Sequence, residues 1–373
     1  MALHHFKWDS QVGDVDALAP YAILISHDEW AELARTAEAL TREMFDAESR
    51  IIAQRAALEL LSVPRAIRPL LSRLDREATP TLGRIVRFDF HPTSLGWQIS
   101  EGNSDVPGGF TEASTFSHLM ASALSHDVAG SPADAWLDTI AKRAKRVGLL
   151  VAPGWPEDMQ VVAFLSNALR ERGCDAELAT PHQIEWTDGI AHVARELDAV
   201  VRFHQVEWLA RLSATTRWEH YFVGAKTPVG NPGIAIVSES KRFPLACEML
   251  GLSMPTWAQL LPETRELRDA PWRTDDAWIL KGAFGNTGDN VLVRSSMSKT
   301  AWACAIVHAS LSPSAWIAQR RFEASPIDTP DGPRNLCLGI YTVDGVAVGA
   351  YARLTPKMKI DFAAVDAAVL LTS

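Results

Sequence analysis

RIVRFDF, residues 84–90, followed after a turn by WQISEGN, residues 97–103, is the stretch that decides the fold. In the first run Val86, Phe88 and Phe90 alternate with Arg87 and Asp89, the period of two expected of a half-buried β-strand. His91, Pro92, Thr93, Ser94 and Gly96 then supply turn chemistry, so the two runs predict a β-hairpin. Residues paired across a hairpin point to the same face. An even-sum register therefore brings Arg87, Asp89, Glu101 and Asn103 together. The expected product is a polar cluster on one sheet face, immediately before the loop 104–109.

Upstream, residues 26–61 are rich in Ala, Leu, Glu and Arg and contain neither Gly nor Pro. Ser26 followed by Glu29 is a capping box, so one long helix or two joined ones start there. Pro64 and Pro69 interrupt the pattern, leaving room for a short turn over 70–76. Downstream, RVGLLVAPG (146–154) reads as a strand entering a Pro/Gly loop. Apolar residues at 161, 162, 165, 168 and 169 then give a helix that stops at Gly173. Strands at 176–179 and 198–203 complete a Rossmann-like βαβ unit. Its first loop lacks GxGxxG, which argues against a dinucleotide site. Further on come a helix over 240–250 ended by Gly251, a strand at 277–281, the loop GAFGNTGDN (282–290) and a strand at 316–320. Asp344-Gly345 between two β-rich runs, 336–343 and 346–354, is a strong hairpin signal.

Composition narrows the function. Lys plus Arg number 36 against 45 Asp plus Glu in 373 residues, a net charge of -9, which is the wrong sign for a dedicated nucleic-acid binder. The longest apolar runs, 346–350 and 363–371, fall well short of the ~20 residues a membrane span needs. With no signal-peptide core at the N-terminus, a cytoplasmic protein with no membrane partner is expected. Cys174, Cys247, Cys304 and Cys337 are scattered without a CxxC pair, so reduced cysteines in or near the core are expected rather than disulfides or a thiolate metal site. Ser94, Ser104 and Ser117 lack a Gly-x-Ser-x-Gly context, which disfavours a serine hydrolase.

Two carboxylates and an amide on one strand face, Asp89, Glu101 and Asn103, can hold a hard cation through oxygen, and Mg2+ shared with nucleotide phosphates fits that chemistry. Lys281 ends a strand and precedes Gly282, Gly285 and Gly288, whose backbone N–H groups could close over phosphates beside an ammonium point charge. The P-loop pattern is absent. Lys241 stands at the start of a predicted helix, unfavourable against the helix dipole unless an anion is near. Arg353 lies near the end of a hairpin strand. Each of these alone is also what a solvated face, an ordinary turn or an edge charge looks like.

Their order along the chain carries more. R-F-D-F (87–90), E-G-N-S-D-V-P (101–107), S-K-R-F-P-L (240–245), W-I-L-K-G-A-F-G-N-T-G-D-N-V (278–291), W-I-A-Q (316–319) and G-A-Y-A-R (349–353) occur in sequence. In this the chain resembles, over roughly residues 65–373, the synthetase domain of the glutathionylspermidine synthase family, circularly permuted ATP-grasp carboxylate-amine ligases. The acidic metal motif precedes the nucleotide lysines, as the permutation requires. The resemblance implies an α/β (α+β), ATP-grasp-like, circularly permuted fold with a Rossmann-like (preATP-grasp) subdomain and an N-terminal helical segment. It divides the chain into a helical segment at 1–75, the metal-binding part of the core at 76–140, the Rossmann-like subdomain at 141–230, and the ATP-binding lid with the rest of the core at 231–373.

Carried over residue by residue, it also implies that Asp89, Glu101 and Asn103 bind Mg2+ and that Lys241 and Lys281 contact ATP. Gly285, Asn286 and Gly288 would fold over the phosphates, and Gln319 would lie beside adenine. Arg87 and Arg353 would hold the transferred phosphoryl group and an acyl phosphate. The implied activity joins a small-molecule or peptide carboxylate to an amine, with oligomeric state left open. Several positions depart from the pattern, the adjoining Thr355-Pro356 among them. Val106 stands where the family has a Ser or Thr that contacts its thiol-peptide substrate, so glutathione is not carried over. Leu354 stands where the family is acidic, which leaves an alternative: a catalytically altered nucleotide- or partner-binding protein on the same fold.

Overall fold

The computed structural model describes residues 1, 5–9, 11–12, 15–74, 82–285 and 290–372. Its centre is a seven-stranded sheet in which six strands run in the spatial order Leu18–Ser26, Val365–Thr372, Val346–Thr355, Asn335–Val343, Ile85–Thr93 and Gly96–Asn103. The short strand Asp127–Val128 adds to Val365–Thr372. All pairings are antiparallel except that of Leu18–Ser26 with Val365–Thr372. The 335–355 hairpin turns at Asp344 and Gly345 with φ of 49° and 87°, the left-handed pair that a two-residue hairpin turn requires. The expected mixed α/β fold is found.

The long N-terminal helix runs over His27–Ile51, with a second helix at Arg55–Leu60. Its cap is the predicted one, Glu29 N–H donating to Ser26 Oγ at 3.1 Å. Leu33, Ala37, Leu40 and Met44, spaced three or four apart, are buried in one apolar core with Val86, Phe88, Phe90 and Ile340 from the sheet. A strand, Leu18–Ser26, precedes this helix inside the segment expected to be helical. Its alternation is blurred by Pro20 and its partner lies at the far end of the sequence. The turn expected over 70–76 appears as a short helix at Arg68–Leu71, and residues 75 and 76 lie outside those described.

The Rossmann-like unit is a four-stranded parallel sheet ordered Val229–Gly230, Ala199–Phe203, Arg146–Val151 and Asp175–Ala179, flanked by the helix Pro156–Glu171. A buried Asn231 fastens it to the central sheet. Its Oδ1 accepts from Ile85 N–H at 3.0 Å, while Nδ2 donates to Ile85 O at 3.0 Å and to Asp105 O at 2.6 Å. A third lobe holds the antiparallel strands Thr264–Arg265, Trp316–Arg320, Trp278–Gly282 and Val291–Leu292. With the helix Lys299–Leu311 it encloses a small core that includes Trp272, Trp278, Trp302 and Trp316.

Three local expectations are corrected. The strand expected to be half-buried is buried on both faces from Ile85 through His91, because its polar side faces the interior of a cleft rather than open solvent. The helix expected over 240–250 is shorter, Phe243–Met249, with Pro244 in its first turn; a separate short helix, Ile236–Glu239, precedes it, and Ser240 between them is extended (ψ 124°). The four cysteines are unpaired, as expected, but Cys304 is exposed rather than in the core.

Candidate functional site

The hairpin register is the even-sum one: Arg87 pairs with Asn103 and Asp89 with Glu101, and a bulge follows between Asp89 and Phe90. The four side chains therefore share a face, and Arg87 and Asp89 are buried on it. Arg87 grips Asp89 through both oxygens, at 2.7 and 3.0 Å, and donates a further bond to Gly108 O at 3.1 Å. Its guanidinium also lies 5.6 Å from the Tyr351 ring centre. Gly339, opposite Asp89 on the neighbouring strand, makes this packing possible, since a Cβ there would fall 2.7 Å from the Tyr351 ring and 2.9 Å from Arg87 Cδ.

Two lysines reach this face, Lys281 from the third lobe and Lys241 from helices packed on the central core. Lys241 sits in the break between its two helices and brings Nζ within 3.3 Å of Glu101 Oε2 and 3.0 Å of Gly285 O. Its own N–H donates to Ala283 O at 2.9 Å, so the residue ties the glycine loop to the hairpin. Lys281, on the third-lobe strand, donates to Ser100 O at 2.9 Å. Burial would lift the Glu101 carboxyl, but the ammonium groups of Lys241 and Lys281 outweigh it and hold it down at about 2. Burial works against the charge on Lys241 too, yet Glu101 and Glu239 leave its affinity for the proton raised. Lys281 goes the other way: desolvation, aided by Lys241, brings it down to about 8.

Asp89, Glu101, Asn103, Lys281, Gly285 and Arg353 all border one cleft of about 1640 Å³ between the lobes. Arg353 stands on the central sheet with Cys337 and Asp366 as its cross-strand partners, and it donates to Asp361 O at 2.8 Å. Gln319 is placed differently. It is buried with its amide on Thr264 Oγ1 at 3.0 Å and is not among the residues bordering the cleft. Asn286 and Gly288 lie outside the described residues. Among the described residues, no three His, Cys, Asp or Glu side chains form a metal-binding group. The oxygen set that remains, two carboxylates and the Asn103 amide, is of the kind Mg2+ takes when phosphate and water complete its shell.

Several cleft residues escaped the sequence reading. His91 continues the odd-numbered face past Asp89, a signal that the period of two contained. It is held between Leu336 O and Ser100 Oγ, both at 3.0 Å, and burial brings it down to about 4, so it is neutral. Asp366 interrupts the apolar run 363–371. Burial and the neighbouring Glu112 carboxylate raise it to about 7. Glu207 also borders the cleft and is raised to about 7, by burial first and then by Asp105. Lys7, Glu112 and Glu207 carried no local signal at all.

No helix among the described residues is long and apolar enough to cross a membrane. A glutathione synthetase like-effector from Globodera pallida, in its apo form, shares the fold with a TM-score of 0.62 at 14% identity, over 95% of this chain and 90% of that one. A gamma-glutamylcysteine synthetase described as putative, from Methylobacillus flagellatus, aligns at a TM-score of 0.45 and 12% identity over 83% of this chain and 82% of that one. No curated protein matches the sequence. The glutathionylspermidine synthase preATP-grasp family matches residues 3–361, reaching well before the residue-65 start of the motif-based resemblance, and the chain belongs to that family.

Proposed function

We propose that this protein is an ATP- and Mg2+-dependent ligase that joins a carboxylate to an amine through an acyl phosphate, releasing ADP and phosphate. The carrying observation is the contact of Lys241 with Glu101 beside Lys281: an acidic oxygen and two ammonium groups from distant segments of the chain meet at the cleft that Glu101 and Lys281 border. Membership in a synthase family supports the same reaction class. The cleft, at about 1640 Å³, exceeds the roughly 300–1,000 Å³ of a pocket for one small ligand, and this reaction must assemble three.

In this reading Lys241 and Lys281 neutralise the phosphates, and Gly285 with Asn286 and Gly288 closes over them. Gln319 orders the third-lobe wall on the adenine side. Asp89, Glu101 and Asn103 would hold Mg2+, which supplies charge neutralisation for phosphoryl transfer. Until then Arg87 and Lys241 keep the two carboxylates paired, which avoids the cost of burying them alone. Arg87 and Arg353 face the same cleft and orient the transferred phosphoryl group on the acyl oxygen. Positioning and charge complementarity do the work, with no covalent bond to the protein. The amine then attacks the acyl carbon and phosphate leaves. The division at 1–75, 76–140, 141–230 and 231–373 would separate helical, metal-binding, Rossmann-like and lid functions, in a cytoplasmic enzyme supplied with ATP and Mg2+.

The test is product formation by the purified protein. ADP and phosphate appear only when acid and amine are both present, and Asp89→Ala or Lys281→Ala abolishes turnover. Failure of nucleotide to bind at millimolar concentration with Mg2+ present overturns the reading. Val106 and Leu354, which depart from the family pattern, favour the second reading, a nucleotide- or partner-binding protein with altered catalysis. Nucleotide binding without turnover across acid and amine mixtures would establish that one.

A further inference from the structure

The N-terminal segment enters the cleft. Trp8 N–H donates to Gln160 Oε1 at 2.9 Å, which anchors the segment to the first helix of the Rossmann-like unit. From there the Lys7 side chain, only 5% exposed, places its ammonium 2.5 Å from Glu112 Oε1 and 3.4 Å from Asp366 Oδ2, with Asp9 Oδ1 at 3.2 Å on the outer side. Lys7, Glu112 and Asp366 all border the cleft that contains Arg353 and Lys281. Asp366 is the cross-strand partner of Arg353, so the Lys7 ammonium stands beside the end of the cleft where the acyl group would be activated.

We propose that Lys7 is a specificity-determining residue: its ammonium fills the space between Glu112 and Asp366, where a second ammonium of the acceptor would otherwise lodge, and so restricts the acceptor to amines without a positive charge at that end. The proposal rests on the ligase reading for its biological meaning, but its physical core is independent of it. Two carboxylates facing each other across a low-dielectric cleft attract any ammonium that reaches them. Here the chain supplies its own. Burial opposes the charge on Lys7, but Glu112 and Asp366 together raise its affinity for the proton, so the residue stays cationic. The pinned Trp8 N–H keeps the side chain on a short tether.

Lys7→Ala removes the atoms from Cγ to Nζ, leaving a hole the size of n-propylammonium. By calorimetry on the full-length protein without nucleotide, n-propylammonium and 1,3-diaminopropane should bind this variant at least tenfold more tightly than wild type. Lys7→Arg, which keeps the charge, should behave as wild type, and adding Glu112→Gln to Lys7→Ala should remove the gain. Where Lys7→Ala is too unstable for calorimetry, n-propylammonium chloride should raise its Tm by several degrees relative to sodium chloride and leave wild type unmoved. In turnover, the KM ratio of monoamine to diamine acceptors should rise at least tenfold in Lys7→Ala, a change that a merely structural role would not produce. Equal amine affinity in wild type and Lys7→Ala, or equal Tm of that variant in the two salts, overturns the proposal. Nucleotide binding with Mg2+, measured separately on wild type, decides the ligase reading, so the two can fail independently.

Discussion

The Arg87 guanidinium holds both carboxylate oxygens of Asp89, Nε to Oδ1 at 2.7 Å and Nη2 to Oδ2 at 3.0 Å, two residues apart on one strand. A planar fork matched to a carboxylate in this way is geometrically specific and stronger than a neutral hydrogen bond. It keeps the buried Asp89 carboxylate, proposed above as a metal ligand, neutralised.

Replacing either member should therefore separate metal binding from turnover. Asp89→Asn is expected to lose at least tenfold in Mg2+-dependent nucleotide affinity. Arg87→Lys, which cannot form the fork, should retain Mg2+-dependent binding while kcat falls by about a hundredfold, the order of loss for one electrostatic group in the transition state. Titration of nucleotide with and without Mg2+, beside initial rates, would show it. Equal loss of binding in both variants would contradict these roles.

Burial brings Lys281 down to about 8, and a bound triphosphate would raise that value. Nucleotide affinity should then fall as pH rises above about 8, with uptake of a proton on binding in that range. Lys281→Met should bind at least tenfold more weakly and lose this pH dependence. Calorimetry in two buffers of different ionisation enthalpy measures the proton uptake directly.

Glu239 is buried and accepts from Ser104 N–H at 2.9 Å and Asp105 N–H at 3.0 Å. Burial raises it to about 8, against about 4.3 for an unfolded glutamate. Between those values the folded chain keeps a proton that the unfolded chain has lost. This residue therefore makes stability fall as pH rises from about 4.5 to 8. Glu239→Gln offers an amide oxygen to the same two donors and should flatten that fall. Denaturant melts at pH 5 and pH 8 would reveal it, and an unchanged difference would exclude Glu239 as its source.

Gly109 has φ of +87°, and a Cβ there would lie 2.6 Å from Tyr341 Oη and 2.7 Å from the Tyr351 ring. Gly109→Ala should cost about 1–3 kcal/mol of stability from backbone strain, with any clash adding to it. Because the adjacent Gly108 O accepts from both Arg87 and Tyr341, turnover should fall more than stability alone predicts. Melting temperature and rate at a temperature where the variant is fully folded would distinguish the two effects.

Much of the site was legible because it is written in local patterns. The period of two through Val86–Phe90 and the turn residues after it required the hairpin, although the strands run on through Thr93 and resume at Gly96, so the turn is tighter than the expected 91–96. The register then required Asp89 and Glu101 to face the same way. Asp344-Gly345 and the Ser26 cap were equally local. Gln319 was legible only in part: its strand appears where expected, while the bond of its amide to Thr264 inside the lobe left no local mark. The later start of the helix at Phe243 agrees with Pro244, a residue suited to a helix's first turn.

By itself the sequence determined the hairpin, the βαβ unit, the strand that ends at Lys281 and Gly282 and their order, since each follows from neighbouring residues and backbone sterics. Only the tertiary structure decided that Lys241 meets Glu101, that Leu18–Ser26 lies beside Val365–Thr372, and that Lys7 sits between Glu112 and Asp366. Those contacts join segments with no shared local pattern. They arise from the packing of whole lobes and from the need of buried charges for partners, neither of which leaves a periodic mark on the chain.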